Sequence, residues 1–295
     1  MSLLHTIESV PSRVRGLFSY LLTLEKGIAQ EDLEMTLSPR ILQDNQNCAR
    51  KTIKKAQELK LIEINKDKII TLHPELLENE RDPKNTRLVT ELLPSIITRL
   101  AFTNQQNNHN EDLGLAISWV LTRSPLDTPL DWFQADIQLR DLNTSKGTNI
   151  PKHALGIENT ATFGNLKHWI TYLGFAREED SALVPDPTIA IRKGLKTVLP
   201  DKSTKDLSSV IKTLANILPV IDGGRHNLSL LDMYPNLIKP ANGRLSSSLS
   251  MALFRLKDEG YIKLEHRADS PTPKTIGIAG IEQTYTTIQR IILED

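Results

Sequence analysis

Three times along this chain an amphipathic helical stretch runs into a Gly or Lys flanked by apolar residues. Each time a short strand, a polar turn and a second short strand follow. A chain with that order builds several small helix-plus-hairpin bodies, not one large sheet or one long bundle. In the first instance, over 45–74, Ala49, Ile53, Ala56 and Leu59 recur at spacings of four and three, one face of a helix. Strands at 61–64 and 69–72 then flank the turn Asn65-Lys66-Asp67-Lys68, and Pro74 stops the second strand. In the second, over 160–187, Phe163, Leu166, Ile170 and Leu173 share a face. Gly174 stands where a helix stop belongs, and Glu178-Glu179-Asp180-Ser181 is the turn. In the third, over 244–279, Leu245, Leu249, Leu253 and Leu256 are the apolar positions. Ser246, Ser247 and Ser248 suit a helix start and Gly260 its end. Strands are predicted at 261–264 and 275–278, separated by a long polar segment. The spacing of Ile281, Tyr285, Ile288, Ile291 and Ile292 predicts a packing helix over 281–293.

Two further helical stretches precede each instance: 13–24 and 30–37, 113–122 and 130–139, 207–218 and 228–232. Helix, short helix, longer helix and hairpin is the winged-helix arrangement. The predicted fold class is therefore mainly α with small antiparallel hairpins, as three tandem winged-helix (helix-turn-helix) domains. Their expected bounds are 1–82, 83–190 with a preceding Pro94-interrupted helix, and 191–295. The first and third resemble the winged helices of bacterial regulators at the helix-to-wing junctions Gln57-Glu58-Leu59-Lys60-Leu61-Ile62 and Asp258-Glu259-Gly260-Tyr261-Ile262. The middle one carries a long loop at 143–160. The Gln/Asn-rich stretch 104–110 is predicted to be an exposed loop.

Composition excludes several functions. The 295 residues hold 36 Lys+Arg against 36 Asp+Glu, so nothing marks a strongly basic, non-specific nucleic-acid binder. No apolar run reaches the ~18 residues of a membrane span, and the first residues lack a basic-then-apolar leader. One cysteine, Cys48, forbids an intrachain disulfide and a cysteine zinc cage. A cytoplasmic setting without membrane contact is expected. No phosphate-binding Lys-Ser/Thr loop and no Gly-x-Ser-x-Gly turn occurs. The seven histidines show no metal-ligand spacing. Asp186 lacks the companion carboxylates and lysine of a nuclease core. The expectation is a non-enzyme with no catalytic residue, metal or cofactor.

Charge is nevertheless uneven. Between 39 and 60 the basic residues Arg40, Arg50, Lys51, Lys54, Lys55 and Lys60 face only Asp44 and Glu58. In a winged helix the third helix enters the major groove and the wing touches phosphate. Arg50, Lys51, Lys54 and Lys55, joined by Asn47, are expected opposite the Ala49/Ile53/Ala56 face, with Lys66 and Lys68 on the wing turn. In the third instance Arg244, Ser247 and Arg255 are the candidate DNA contacts, with Ser246 and Ser250 beside them. The acidic turn 178–180 would repel phosphate, so the middle instance is expected to meet protein. The basic residues Arg192, Lys193, Lys196, Lys202 and Lys205 are readable as a helix or as a linker.

On residues 12–72 and on 166–184, with its run Leu-Lys-His-Trp-Ile-Thr-Tyr-Leu-Gly-Phe, the chain resembles the DpdG-type proteins. Those are encoded with bacterial clusters that insert deazaguanine bases into DNA and restrict foreign DNA. The resemblance implies a non-catalytic, DNA-binding accessory protein of a DNA-modification, restriction or phage-defence system. Its partners would be double-stranded DNA and enzyme subunits such as a nuclease or helicase. Two alternatives stay open: a protein scaffold without DNA contact, and a transcriptional regulator.

Overall fold

The computed structural model describes residues 3–6, 8, 10–24, 26–38, 46–103, 110–145, 154–267, 272–278 and 280–291. It is mainly helical with small antiparallel hairpins. Its contacts divide into two units, Met1–Asn110 and Glu111–Asp295. No helix of the described residues is long and apolar enough to cross a membrane.

The first unit holds α1 (Pro11–Leu22), β1 (Ile28–Ala29), α2 (Gln30–Leu37), α3 (Gln46–Glu58), β2 (Ile62–Ile64), β3 (Ile69–Leu72) and α4 (Thr86–Thr103). Pro11 opens α1, where its missing N–H has no helical partner to lose. α1 packs on α3, and Val14, Leu17, Phe18 and Leu21 of α1 and Ile53 and Ala56 of α3 are all buried. Each such aliphatic side chain contributes about 1.5–3 kcal/mol on burial. β3 is central, paired antiparallel to β1 (Ile28↔Ile70) and to β2 (Ile62↔Leu72). α4 packs on α1, with Val89, Leu93 and Ile97 buried and Ser19 hydrogen-bonded to Thr90 at 3.0 Å, and its inner Pro94 leaves the helix continuous. Residues 83–103 thus belong with the first unit. Asn110, at the edge of the predicted exposed loop, is buried and accepts the Leu3 N–H at 3.3 Å. The rest of that loop, 104–109, lies outside the described residues.

The second unit holds α5 (Glu111–Leu121), α6 (Trp132–Ser145), α7 (Thr160–Leu173), β4 (Ala176–Glu179), β5 (Ala182–Pro185), α8 (Thr188–Val198) and β6 (Thr204–Asp206). It continues with α9 (Leu207–Ile217), α10 (Arg225–Met233), α11 (Ser247–Asp258), β7 (Ile262–Glu265), β8 (Lys274–Ile278), β9 (Ile281–Tyr285) and β10 (Thr287–Arg290). α5 is buried on all sides from Leu113 to Leu121, as a helix apolar all round must be. It packs on α7 and α10. Its polar groups are satisfied across the unit: the Ser118 hydroxyl donates to the Val220 carbonyl (3.1 Å), and the Ser248 hydroxyl to the Leu121 carbonyl (2.6 Å).

One junction recurs three times. At the end of α3, α7 and α11 the residues Lys60, Gly174 and Gly260 take left-handed φ values of 57°, 84° and 71°. The following N–H groups of Leu61, Phe175 and Tyr261 donate back to Ala56, Ile170 and Leu256, each 2.9–3.0 Å. This is the Schellman cap, which satisfies the last helical carbonyls and turns the chain into a strand. The carbonyls of the same three residues accept the N–H of His73, Asp186 and Ile291 at 2.9–3.0 Å, tying the far end of the hairpin back to the junction. A strand position before α2, α6 and α9 completes each set. β1 pairs β3, the bridge Leu130↔Leu183 joins β5, and β6 pairs β10. The returning strand is central every time.

The third instance departs from the predicted pairing. The packing helix expected over 281–293 is not found in its described part: Ile281–Tyr285 and Thr287–Arg290 are strands, and 292–293 lie outside the described residues. β7 pairs with β10 (Ile288↔Leu264), not with β8. β8 and β9 form their own hairpin (Ile276↔Gln283) inserted between β7 and β10. Tyr285 and Ile288, three apart, fit helix spacing and not strand alternation; in the fold they fall on separate strands, broken at Thr286, with β10 paired along the edge of β7. The basic stretch 192–196 lies on α8, packed against α9 and α11.

Two measurements check this packing. A Cβ on Gly174 would sit 2.8 Å from Ile189 at a φ of 84°. Gly174→Ala is therefore expected to cost about 2–4 kcal/mol in chemical denaturation, whereas Lys60→Gly, relieving a left-handed lysine, is expected to hold or raise stability. His226 on α10 is buried against Gly114 of α5, and burial, with the Arg225 charge beside it, pushes its pKa down to about 4. A histidine held neutral in the fold costs stability as pH falls through the unfolded value, about 6.5, toward the folded one. The thermal midpoint should drop between pH 6.5 and 4, and His226→Gln should flatten that drop.

Candidate nucleic-acid interface

α3 sorts its residues by side. Ala49, Ile53 and Ala56 are buried, while Arg50, Lys51 and Lys54 are exposed at i, i+1 and i+4. Arg50 is 61 % exposed and reaches Glu34 of α2 at 2.9 Å. Lys51 pairs with Glu8, and its ammonium holds the Glu8 carboxyl below the ordinary carboxylate value. Lys54 makes no ion pair among the described residues. Exposed pairs of this kind are worth roughly 0–1 kcal/mol, so either cation can exchange its carboxylate for a phosphate.

The β2–β3 turn carries the other two cations. The Asn65 side chain accepts the N–H groups of Asp67 and Ile69, both at 2.9 Å, and Lys68 takes a φ of 57°. That local net fixes the turn and leaves Lys66 and Lys68 exposed without an ion pair among the described residues. Arg40 and the Asn47 side chain lie outside the described residues. Lys55, expected on the outward face, is corrected by the structure: it is 2 % exposed and bonded to Glu58 at 2.5 Å. It falls one position inside the arc that faces solvent, at the place occupied by Trp169 in α7 when the left-handed caps are aligned.

The equivalent helices spend their cations internally. On α7 the Lys167 ammonium reaches Glu178 of its own hairpin at 3.2 Å and the Ser181 carbonyl at 2.7 Å. On α11 Arg255 pairs with Asp186, the carboxylate that also accepts the Thr188 hydroxyl at the start of α8 at 2.5 Å. Ser250, at the position of Arg50, is fully buried: its hydroxyl accepts the Gly277 N–H of the β8–β9 hairpin at 3.1 Å. Arg244 is half-exposed and paired with Glu282 at 2.6 Å, and Ser247 is half-buried. The structure thus brings Arg50, Lys51 and Lys54 onto one exposed face in the first unit. It lays a hairpin over α11 and draws Arg255 into an internal pair. Nothing local in the sequence signals that cover, because its pairing joins residues far along the chain.

Arg192 and Asp186 have structural duties instead. The Arg192 guanidinium lies 4.8 Å from the centre of the Tyr261 ring and pairs with Glu259, binding α8 to the α11–β7 junction. No group of three or more His, Cys, Asp or Glu among the described residues could hold a metal.

Lys54 and Lys55 give a clean test of this sorting. Lys54→Glu is expected to leave stability within about 0.5 kcal/mol, as an exposed substitution. Lys55→Glu, which buries a carboxylate beside Glu58, is expected to cost about 3–5 kcal/mol in urea unfolding.

In a comparison with protein-family models, the model described as DpdG-like matches residues 1–270. No curated protein and no solved structure matches the chain.

Proposed function

This chain belongs to the DpdG-like family, which associates it with a DNA-modification system, and on that premise we propose that it is a non-catalytic accessory protein that grips duplex DNA through its first unit. The three recurrent helix-and-hairpin arrangements are, in this reading, three winged helices. α3 is the helix that enters the major groove and the β2–β3 turn is its wing. The observation that carries the reading is the exposed set Arg50, Lys51, Lys54, Lys66 and Lys68 on those two elements. It stands in a chain with no net charge, so the positive field is local and oriented. Phosphate contacts from such side chains position a protein on DNA, and α3 brings Arg50 within reach of base edges.

The middle arrangement favours protein. Its turn holds Glu178, Glu179 and Asp180, all exposed, and phosphate would be repelled there. α6 exposes Phe133 at 71 % and Ile137 at 45 %, one turn apart. An apolar pair of that kind suits contact with an enzyme subunit of the same system, a nuclease or helicase. This division of labour, DNA at the first unit and protein at the second, is what an adaptor needs.

The test is binding of the full-length protein to a labelled duplex at two salt concentrations. Five phosphate contacts would make log K fall with log salt at a slope of about −4.5. Lys51→Glu/Lys54→Glu should weaken binding at least tenfold and flatten the slope by about 2, with an unchanged circular dichroism spectrum. No binding at low salt, or equal binding by the double variant, would overturn DNA contact and leave the protein-scaffold reading.

A further inference from the structure

In the second unit a groove of about 850 Å³ opens between α9, α10, the loop after α10 and the start of α11. Its volume lies within the range of small-molecule sites, about 300–1,000 Å³. Its walls are of two kinds. One is apolar: Leu228 of α10 is 50 % exposed and Ile238 of the following loop 87 % exposed, beside buried Ile211 and Leu231. Two aliphatic side chains left this open in the lining of a groove have apolar surface to cover. The other is cationic: Lys212, Lys239, Arg244 and Lys274 all line it. Lys212, Lys239 and Lys274 form no ion pair among the described residues, and only Arg244 is engaged, by Glu282. The single acid among the lining residues is Asp222, and its carboxylate is occupied: it accepts the Ser246 N–H at 2.6 Å and so fixes the start of α11.

Arg244 is held by Glu282 and Lys274 lies in the field of Asp222, which leaves Lys212 and Lys239 as the lining cations most open to an anionic ligand. A ligand that satisfies both walls needs several negative charges joined to a flat or apolar body. A nucleoside phosphate has that chemistry: phosphates for the lysines, a base face for Leu228 and Ile238, and base-edge groups for the exposed Asn242, which also lines the groove. We infer that this groove is a binding site for a nucleoside phosphate, held by Lys212, Lys239 and Lys274 against the Leu228–Ile238 wall. It involves none of the α3 residues and stands whether or not the first unit grips duplex DNA.

Calorimetric titration of the full-length protein with dATP tests the inference. Inorganic triphosphate and a 5′-phosphorylated hexanucleotide serve as companion probes. The expected result is saturable binding of dATP at one site, at least tenfold tighter than inorganic triphosphate. Lys212→Glu/Lys239→Glu should weaken it at least tenfold and Ile238→Asp at least threefold; all three side chains are exposed, so the variants should fold. Lys51→Glu/Lys54→Glu should leave dATP binding unchanged, which separates this site from the duplex surface. A hexanucleotide bound at least tenfold tighter than dATP identifies the natural ligand as a strand end, and the reverse order identifies a free nucleotide; both uphold the site. Absence of saturable binding by either, unchanged affinity in Lys212→Glu/Lys239→Glu, or equal affinity for inorganic triphosphate would overturn it.

Discussion

A left-handed residue at the end of one helix governs how each hairpin in this chain meets its helices. At Lys60, Gly174 and Gly260 the backbone reverses hand, and the next N–H reaches five residues back. The helix can then neither continue nor drift, so the apolar residue that follows is driven into the core. Leu61 and Phe175 are fully buried there and Tyr261 nearly so. The same residue's carbonyl receives the returning strand. One turn thus fixes helix end, strand start and hairpin closure together. For a residue other than glycine, the left-handed region costs about 1–2 kcal/mol. That a lysine tolerates it at position 60 shows how firmly the surrounding hydrogen bonds determine the turn.

Given three similar frameworks, the difference between them lies in where charge is spent. In the first unit Arg50, Lys51 and Lys54 reach carboxylates near the surface or none. In the second unit Lys167 folds onto its own hairpin, Arg255 binds Asp186 and Arg192 stacks on Tyr261. These internal pairs hold α8 to the α11–β7 junction and α11 to the α7–β5 module. A cation partly withdrawn from water needs its partner and has little left for a phosphate. A net charge of zero therefore hides an unequal distribution: in the first unit exposed cations cluster on α3 and the β2–β3 turn, while in the second unit Lys167, Arg192 and Arg255 are engaged within the fold.

The second unit also shows why its parts cannot be cut apart. α5 is buried from Leu113 to Leu121, with α7 on one side and α10 on another. The imidazole of His226 packs so close to Gly114 that a methyl group there would lie 2.7 Å from the ring. The expected boundary near 190 runs through a region where α8 already packs on α9 and α11. The second and third arrangements share a core, while the first keeps its own.

Much of this was legible in the residues. The helical faces of α3, α7 and α11, the turn at Asn65, the cap at Ser246 and the stops at Gly174 and Gly260 are local: each depends on neighbours within about five positions, so spacing and side-chain chemistry suffice to read them. The exposed cations Arg50, Lys51 and Lys54 were legible for the same reason, since helical geometry fixes which residues share a face. What the sequence alone could not decide depends on distant contacts. The strands at 281–290 are helix-compatible by spacing, and only the fold pairs β10 along the edge of β7. Lys55 sits one step from the solvent face and was drawn inward beside Glu58. Ser250 and Arg255 lost their outward role to Gly277 and Asp186, partners 27 and 69 positions away. Local chemistry set the elements; long-range hydrogen bonds and ion pairs, available only once those elements packed, set which faces remained open to a partner.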